Sequence, residues 1–323
     1  QGVADSEGLL ENIAYAYRDE EGTWAVPTRF SIPVAAGESG LLSSANSLEE
    51  LASVAGTQGN FLPYTAVSLP EILYPVYAGG WKNEDGTIHQ ELLAQFVTGV
   101  KQTYDAWAAG ASQEQLEMLE YYKQAGLGTS DVSGYVMSLL DGSCRLGLGE
   151  LGDMMGYSGI VSVNKETGDT AIAPLNGLES GVFVPSSIVS ILNTAKEQER
   201  AKDFVTFLLS AQGAGQPQWE GFSVNSWAFE RALTTPAFEG GSFISSSSNN
   251  QTGEMVELIY SWPTPEEQET LRQMVNGLNT CANLDRVTRD AVLENLHKCM
   301  DGEIGTDEAV NAIMQTVNLY LAE

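Results

Sequence analysis

Residues 181–229 read GVFVPSSIVSILNTAKEQERAKDFVTFLLSAQGAGQPQWEGFSVNSWAF, in the order strand, helix and turn that is typical of an α/β domain. Two apolar runs come first, Val182–Val184 and Ile188–Leu192. The next apolar residues recur at the i, i+3, i+4, i+7 and i+8 spacing of a half-buried helix. They are Ala201, Phe204, Val205, Leu208 and Leu209. Gly213–Gly215 ends this helix, and Gly221–Asn225 leads into another.

The composition fits a soluble extracellular protein of two domains or lobes. The chain has 323 residues, of which 43% are hydrophobic, and this is enough for substantial cores. Its 15 basic and 43 acidic residues give a net charge of 15 − 43 = −28. This charge makes nucleic acid a poor partner and disfavours an anionic membrane surface. We attribute the acidity to solubility outside the cell.

Patterns for membrane spans and metal sites are absent from the sequence. No apolar run reaches about 18 residues, so no transmembrane helix is expected. The chain begins at Gln1 without a signal peptide or lipobox, which predicts a processed or truncated chain. Cys144, Cys281 and Cys299 are odd in number and lack CxxC spacing, which argues against a zinc site and a disulfide framework. A single Cys281–Cys299 bridge is the alternative.

Further helices and strands follow from apolar periodicity and capping residues. Ser47 and Glu50 form a capping box that starts a helix, and Thr264 and Thr306 are caps of later helices. Residues 234–253 are of low complexity and predict a mobile surface loop or an insertion. Predicted helices cover residues 9–17, 69–78, 89–109, 112–124, 130–140, 254–262, 265–278, 285–300 and the chain end after 306; predicted strands cover 23–34, 142–149 and 170–174.

The sequence contains no recognisable catalytic motif. His89 and His297 lie on predicted helix surfaces, far apart and outside any HExxH pattern. No GxSxG elbow and no GxxxxGK[ST] loop occurs. A glycosidase would need two carboxylates at a fixed separation across a sugar, which spacing along a sequence cannot show. An extracellular carbohydrate-active hydrolase therefore stays open as an alternative.

Three stretches of the chain carry a resemblance to a known family. The first is the spaced set Lys196, Ala201, Phe204, Phe207, Leu208, Gly213, Gly221 and Asn225. The second is AYRDEEGTWAVPTRFSIPV, residues 16–34, and the third is the ending MDGEIGTDEAVNAIMQTVNLYLAE, residues 300–323. In this order the three resemble extracellular solute-binding proteins of ABC importers, of the family 1 group that is similar to maltose-binding protein.

The resemblance implies an α/β fold of the type II periplasmic-binding-protein class, with two lobes of mixed sheets flanked by helices. Lobe crossings are expected near Ser31, Gly181 and Asn276, and closing of the lobes would trap a ligand. The predicted ranges are 1–30 and 182–275 for the remainder of the N-terminal lobe, and 31–181 and 276–323 for the C-terminal lobe. In the family a longer part of the N-terminal lobe precedes these stretches, so the resemblance implies that this lobe is incomplete. The chain would then be a fragment of a longer protein or an unusually short member of the family.

The resemblance also places six candidate ligand-binding residues at the predicted cleft. They are Ser31, Tyr64, Glu150, Asp153, Trp219 and Phe222. Ser31 lies near the first crossing, and Tyr64 matches a ring that enters the cleft in maltose-binding-like members. Glu150 and Asp153 either accept hydrogen bonds from ligand hydroxyls or belong to a solvated loop. Trp219 and Phe222 either stack on a ligand or pack their own loop.

The implied function is non-catalytic capture of an extracellular solute, with a carbohydrate favoured, for delivery to an ABC permease. The protein would act as a monomer without cofactor or metal, outside a bacterial cell, anchored through a lipid on an upstream segment. Asn283, Leu284 and Asp285 stand where maltose-binding-like members have an aromatic residue, which puts a malto-oligosaccharide in doubt. Other sugars, peptides and small polar solutes stay open. The alternatives are the hydrolase and a surface sensor module that reuses the fold.

Overall fold

The computed structural model describes residues 8–83, 87–128, 131–214, 221–249 and 253–322. The helices are α1 (Glu11–Ala14), α2 (Leu48–Ala55), α3 (Pro63–Val67), α4 (Leu69–Tyr77), α5 (Gln90–Gly110), α6 (Gln113–Ala125), α7 (Val136–Leu140), α8 (Met154–Thr167), α9 (Gln198–Leu209), α10 (Ala211–Ala214), α11 (Ser226–Thr234), α12 (Pro265–Asn276), α13 (Arg286–Met300) and α14 (Thr306–Leu321). The strands are β1 (Tyr17–Arg18), β2 (Thr23–Glu38), β3 (Leu146–Leu151), β4 (Thr170–Pro174), β5 (Val182–Val189), β6 (Phe222–Ser223), β7 (Ser242–Ser248), β8 (Met255–Ser261) and β9 (Thr280–Cys281).

β2 is the strand with which most of the others pair. Its first half pairs antiparallel with β5 and β6, and its second half pairs antiparallel with β3 and β4. The partner changes between Ser31, which lies opposite Val184 of β5, and Ile32, which pairs with β3. The predicted strand over 23–34 is confirmed, and it continues to Glu38. One strand therefore runs through both parts of the main sheet.

Two hydrophobic clusters cover the faces of this sheet. The first contains residues of α2–α5, α13 and α14, with Trp81 and Phe96 fully buried. The second contains residues of α1, α7–α9, α11 and α12. Successive side chains of a strand point to opposite faces, so Ala35 belongs to the first cluster, whereas Val34 and Ala36 belong to the second. β2 thus contributes to both cores.

The segments around Gly181 and Gly277 lie side by side next to β2. β5 pairs with β2 on one side and in parallel with β9 on the other. The backbone N–H groups of Asn279 and Thr280 donate to the Gly181 carbonyl oxygen at 2.8 and 3.1 Å. Gly181 has a φ of +63°, and a Cβ there would lie 2.7 Å from the Gly277 carbonyl oxygen. This position therefore requires glycine, both for its dihedral angle and for space.

The prediction of a mobile loop is wrong for Ser242–Ser248, and the prediction of a helix over 254–262 is wrong, because β7 and β8 form an antiparallel hairpin. Phe243 stacks on Tyr260 with the ring centroids 4.5 Å apart, and Leu258 is buried. Serines fill most positions of β7. The sequence therefore does not show the alternation of apolar and polar residues that would predict a strand.

Two further predictions about helices need correction. Phe204 is 61% exposed, so the buried stripe of α9 is narrower than predicted and consists of Val205 and Leu209. Thr306 is the first helical residue of α14 rather than its cap. By contrast, Thr264 caps α12 as predicted, in a complete capping box.

Within the described ranges, no helix combines the length and the apolar character that crossing a bilayer requires. All three cysteines carry free thiols, and the Cys281 Sγ lies 3.8 Å from the Tyr17 hydroxyl. The alternative Cys281–Cys299 bridge is therefore not formed.

Candidate functional site

Ser31 and Glu150 are joined at the point where β2 changes its partner. Ser31 is buried, and its Oγ donates a hydrogen bond to Glu150 Oε2. Glu150 lies within β3, opposite Pro33 of β2, and not in a loop after the strand. The topology thus brings together two of the residues that the sequence analysis selected.

The Glu150 carboxyl group lies in a poorly solvated position. Burial raises its pKa above the ordinary value, and the Ser31 hydrogen bond acts in the opposite direction. The nearby Asp131 raises the pKa further, whereas the charge of Arg289 lowers it. A partly desolvated carboxylate that keeps free lone pairs can accept hydrogen bonds from a hydroxyl-bearing ligand.

Glu150 lines a cavity of about 550 Å³, which we call the Glu150 cavity. This volume falls within the range of roughly 300–1,000 Å³ that is usual for small-molecule sites. The lining residues are Val67, Ser68, Glu71, Tyr122, Lys123, Gly126, Leu127, Gly128, Glu150, Arg289, His297 and Asp301. They come from α3 and α4, from α6 and the residues after it, from β3, and from the two ends of α13. The cavity thus joins segments far apart in sequence.

Two ion pairs lie in the wall of the Glu150 cavity. His297 Nε2 lies 2.7 Å from Glu71 Oε1, and Lys123 Nζ lies 2.5 Å from Asp301 Oδ1. Lys123 also donates to the Tyr104 hydroxyl at 2.9 Å. The hydrogen bond to Glu71 raises the pKa of His297, although burial opposes this. His297 is therefore a paired, partly buried side chain and does not lie on a free helix surface as predicted.

Tyr64 lies behind the cavity wall. Its hydroxyl donates to the Gly134 carbonyl oxygen at 2.9 Å. Its ring packs against the rings of Tyr135 and Tyr122, with centroid distances of 5.0 and 5.9 Å. Tyr122 lines the cavity, so Tyr64 supports the aromatic side chain that a ligand would meet.

Asp153 and Phe222 line a second cavity of about 500 Å³. Asp153 is the N-cap of α8, and its Oδ1 accepts a hydrogen bond from the Gly156 backbone N–H at 2.7 Å. Burial raises the pKa of Asp153, and this hydrogen bond opposes the shift. Phe222 is 4% exposed and packs against Phe30 and Phe229, with centroid distances of 5.8 and 5.7 Å. Both side chains thus have clear structural contacts.

The backbone segments around Gly152 and Gly221 approach each other closely between Ser31 and the second cavity. A Cβ at Gly152 would lie 3.4 Å from the Gly221 nitrogen and 3.6 Å from the Ser31 Cβ. The segments that carry Glu150 and Phe222 are therefore packed against each other at this point. Trp219, the remaining candidate, lies outside the described residues.

Sequence reasoning missed Arg289 and Tyr122. Arg289 precedes the buried Val292 and Leu296 by three and seven residues, so it continues the inner stripe of α13. A cation on an otherwise apolar stripe is a signal that the sequence contains. Tyr122 carries no comparable signal, because its role depends on the contact between α6 and Tyr64.

The architecture defines the class of protein. A mixed sheet in two parts that share one long strand, with helices on both faces and a cavity beside that strand, is a type II periplasmic-binding-protein fold. The predicted fold class is thus confirmed. Residues 19–215 match the family model described as bacterial extracellular solute-binding protein, and the chain belongs to this family. Capture of an extracellular solute is therefore its function, as the sequence predicts.

Solved structures share this fold at low sequence identity. The GacH receptor of Streptomyces glaucescens GLA.O, solved unliganded and with acarbose, has a TM-score of 0.51 at 14% identity, over 99% of this chain and 77% of that chain. CpMnBP1 with mannotriose bound has a TM-score of 0.55 at 12% identity, over 97% and 77%. Maltose-bound MalE3 of T. maritima has a TM-score of 0.50 at 13% identity, over 98% and 78%. No curated protein matches the sequence.

Proposed function

We propose that this protein captures an extracellular carbohydrate in the Glu150 cavity and delivers it to an ABC permease. The observation that carries the proposal is the Ser31–Glu150 hydrogen bond, which holds a carboxylate in a cavity of about 550 Å³ where β2 changes partner. Sugars present apolar faces and a rim of hydroxyls, which aromatic rings and planar polar side chains bind. Tyr122 supplies such a ring and Glu150 such an acceptor.

The solved relatives support a carbohydrate as the solute. The structures named above hold acarbose, mannotriose and maltose in proteins of the same fold. The absence of an aromatic residue at 283–285 argues that this chain binds a sugar other than a malto-oligosaccharide.

We propose further that two lobes close on the sugar. One lobe comprises residues 1–30 and 182–275, and the other comprises residues 31–181 and 276–323. The adjacency of β2, β5 and β9 supports this proposal, because these strands adjoin the three predicted crossings. In this proposal the protein is a monomer outside a bacterial cell, held by a lipid on an upstream segment, and its closed form docks on the permease.

The test is binding of a carbohydrate panel to wild-type protein and to two glutamate variants. Tryptophan fluorescence is a suitable signal because the chain has six tryptophans. Glu150→Gln keeps an acceptor for Ser31 but removes the charge, so we expect affinity to fall by about 10-fold or more. Glu166→Gln changes an exposed residue near the end of α8 and serves as the matched control.

The same incubations separate a binding protein from a hydrolase. We expect saturable binding of one sugar class with the sugar recovered intact. Sugar that is recovered cleaved would favour the hydrolase. Binding restricted to peptides or amino acids would overturn the carbohydrate assignment, and equal affinities of the two glutamate variants would overturn the site.

A further inference from the structure

Arg289 differs from other partly buried cations of the chain because its guanidinium has no partner among the described residues. Lys123, Arg145 and Arg272 each form an ion pair with a carboxylate. Arg289 is also partly buried, yet no hydrogen bond or ion pair to its side chain occurs in the described part of the chain. A guanidinium offers five N–H donors, and leaving them unpaired in a partly desolvated position is unfavourable.

This guanidinium lines the Glu150 cavity together with the Glu150 carboxylate. Arg289 lies in the first turn of α13 and contributes its side chain to the cavity wall. Its charge acts on Glu150 and lowers the pKa of that carboxyl, so the two groups are near each other. They nevertheless do not come within the 4.0 Å of an ion pair. Both groups line the same cavity, so a ligand that enters it can contact both.

The other charged groups that line the cavity are paired with one another. Lys123 is paired with Asp301, and His297 is paired with Glu71. The Glu71 hydrogen bond raises the pKa of His297, so this side chain is already engaged by a carboxylate. Among the described residues that line the cavity, Arg289 is thus the cation that has no carboxylate partner, and Glu150 lines the same cavity.

On the basis of the carbohydrate site proposed above, we propose that Arg289 binds a carboxylate of the solute, so that the cargo is an acidic carbohydrate of the uronic-acid type. The planar guanidinium binds a carboxylate through two parallel hydrogen bonds. A hydroxyl of the same sugar donates to Glu150. A phosphate group fits less well, because its charge of about −1.5 to −2 exceeds that of the single unpaired cation and would be repelled by the carboxylates nearby.

The experiment compares matched acidic and neutral sugars by calorimetric titration. The probes are glucuronate and galacturonate with their di- and trisaccharides, the neutral sugars of the same ring and linkage, and glucose 6-phosphate. We expect a uronate to bind about 10-fold or more tightly than its neutral counterpart. Arg289→Gln should weaken the uronate by about 10- to 100-fold and change the neutral sugar little. Arg286→Gln is the matched control, because Arg286 lies on the same helix but is exposed.

Each outcome either supports or refutes an acidic carbohydrate as the solute. If neutral sugars bind as tightly as uronates, or if the Arg289 and Arg286 variants behave alike, the acidic cargo is refuted while the carbohydrate site stands. Tighter binding of the sugar phosphate than of the uronates would refute the carboxylate. If no sugar of any class binds, the carbohydrate proposal fails and this inference fails with it. Circular dichroism of both arginine variants shows whether they are folded.

Discussion

At the scale of single residues, the Glu71–His297 pair makes the stability of the protein depend on pH. The Glu71 hydrogen bond raises the pKa of His297 above the ordinary value of 6.5. Burial and the charge of Lys123 oppose this shift, and Asp301 supports it. A histidine with a raised pKa in the folded state contributes stability fully below its ordinary pKa. That contribution is lost as the pH rises through the folded-state value.

The corresponding prediction concerns the variant Glu71→Gln. The melting temperature of the wild type should fall relative to that of Glu71→Gln as the pH rises from about 6 to about 8. Thermal unfolding at several pH values measures this difference. Glu166→Gln should retain the pH dependence of the wild type. If the melting temperatures of the wild type and of Glu71→Gln change with pH in the same way, the pair does not stabilise the folded state.

At the scale of elements, Asp153 contributes to the stability of a helix. It connects β3 to α8 and caps the helix through the Gly156 backbone N–H. A side chain that caps a helix contributes about 0.5–2 kcal/mol to stability. Asp153 lies in the short connection between β3 and α8, and its ligand contact stays a prediction beside the capping role.

Asp153→Ala is therefore expected to destabilise the protein by about 1 kcal/mol. Asp153→Asn should cost less, because asparagine caps helices about as well and loses only the interaction of the charge with the helix dipole. Urea unfolding measures both variants. If Asp153→Asn costs as much as Asp153→Ala, the charge and not the cap is what the position requires.

The sequence predicts those helices and strands that are marked by residues within the element itself or at its ends. The complete capping box at Thr264 sets the start of α12, and the apolar run at 182 sets the start of β5. The β7–β8 hairpin was not predictable in this way, because serines carry no apolar alternation. In the site, Ser31 and Glu150 followed from the family resemblance. Arg289 did not, since its importance depends on having no partner in three dimensions.

At the scale of the whole molecule, the contact between the Gly181 and Gly277 segments joins distant parts of the chain. Both segments flank β5 beside the shared strand β2. The two segments are so close that a Cβ at Gly181 would lie 2.7 Å from the Gly277 carbonyl oxygen. Real Cβ atoms do not tolerate such a distance to backbone, so a larger residue must displace one segment.

The prediction compares Gly181→Ala with Gly126→Ala. Both glycines have a φ of +63°, but a Cβ at Gly126 meets nothing within 4 Å. Gly126→Ala should therefore cost only the left-handed dihedral strain, on the order of 1 kcal/mol. Gly181→Ala should cost distinctly more, because the steric overlap adds to that strain. Equal losses in chemical unfolding would show that the two segments separate easily.

The shared strand β2 also limits how the gene of such a protein can change. A cut in the chain anywhere between residues 23 and 38 would leave part of the sheet without its central strand, and both hydrophobic clusters would lose residues. A recombination event with its breakpoint inside β2 would join two parts of a strand whose side chains must fit both clusters. We therefore expect such an exchange to cost stability, whereas substitutions of side chains around the cavity leave the shared strand intact.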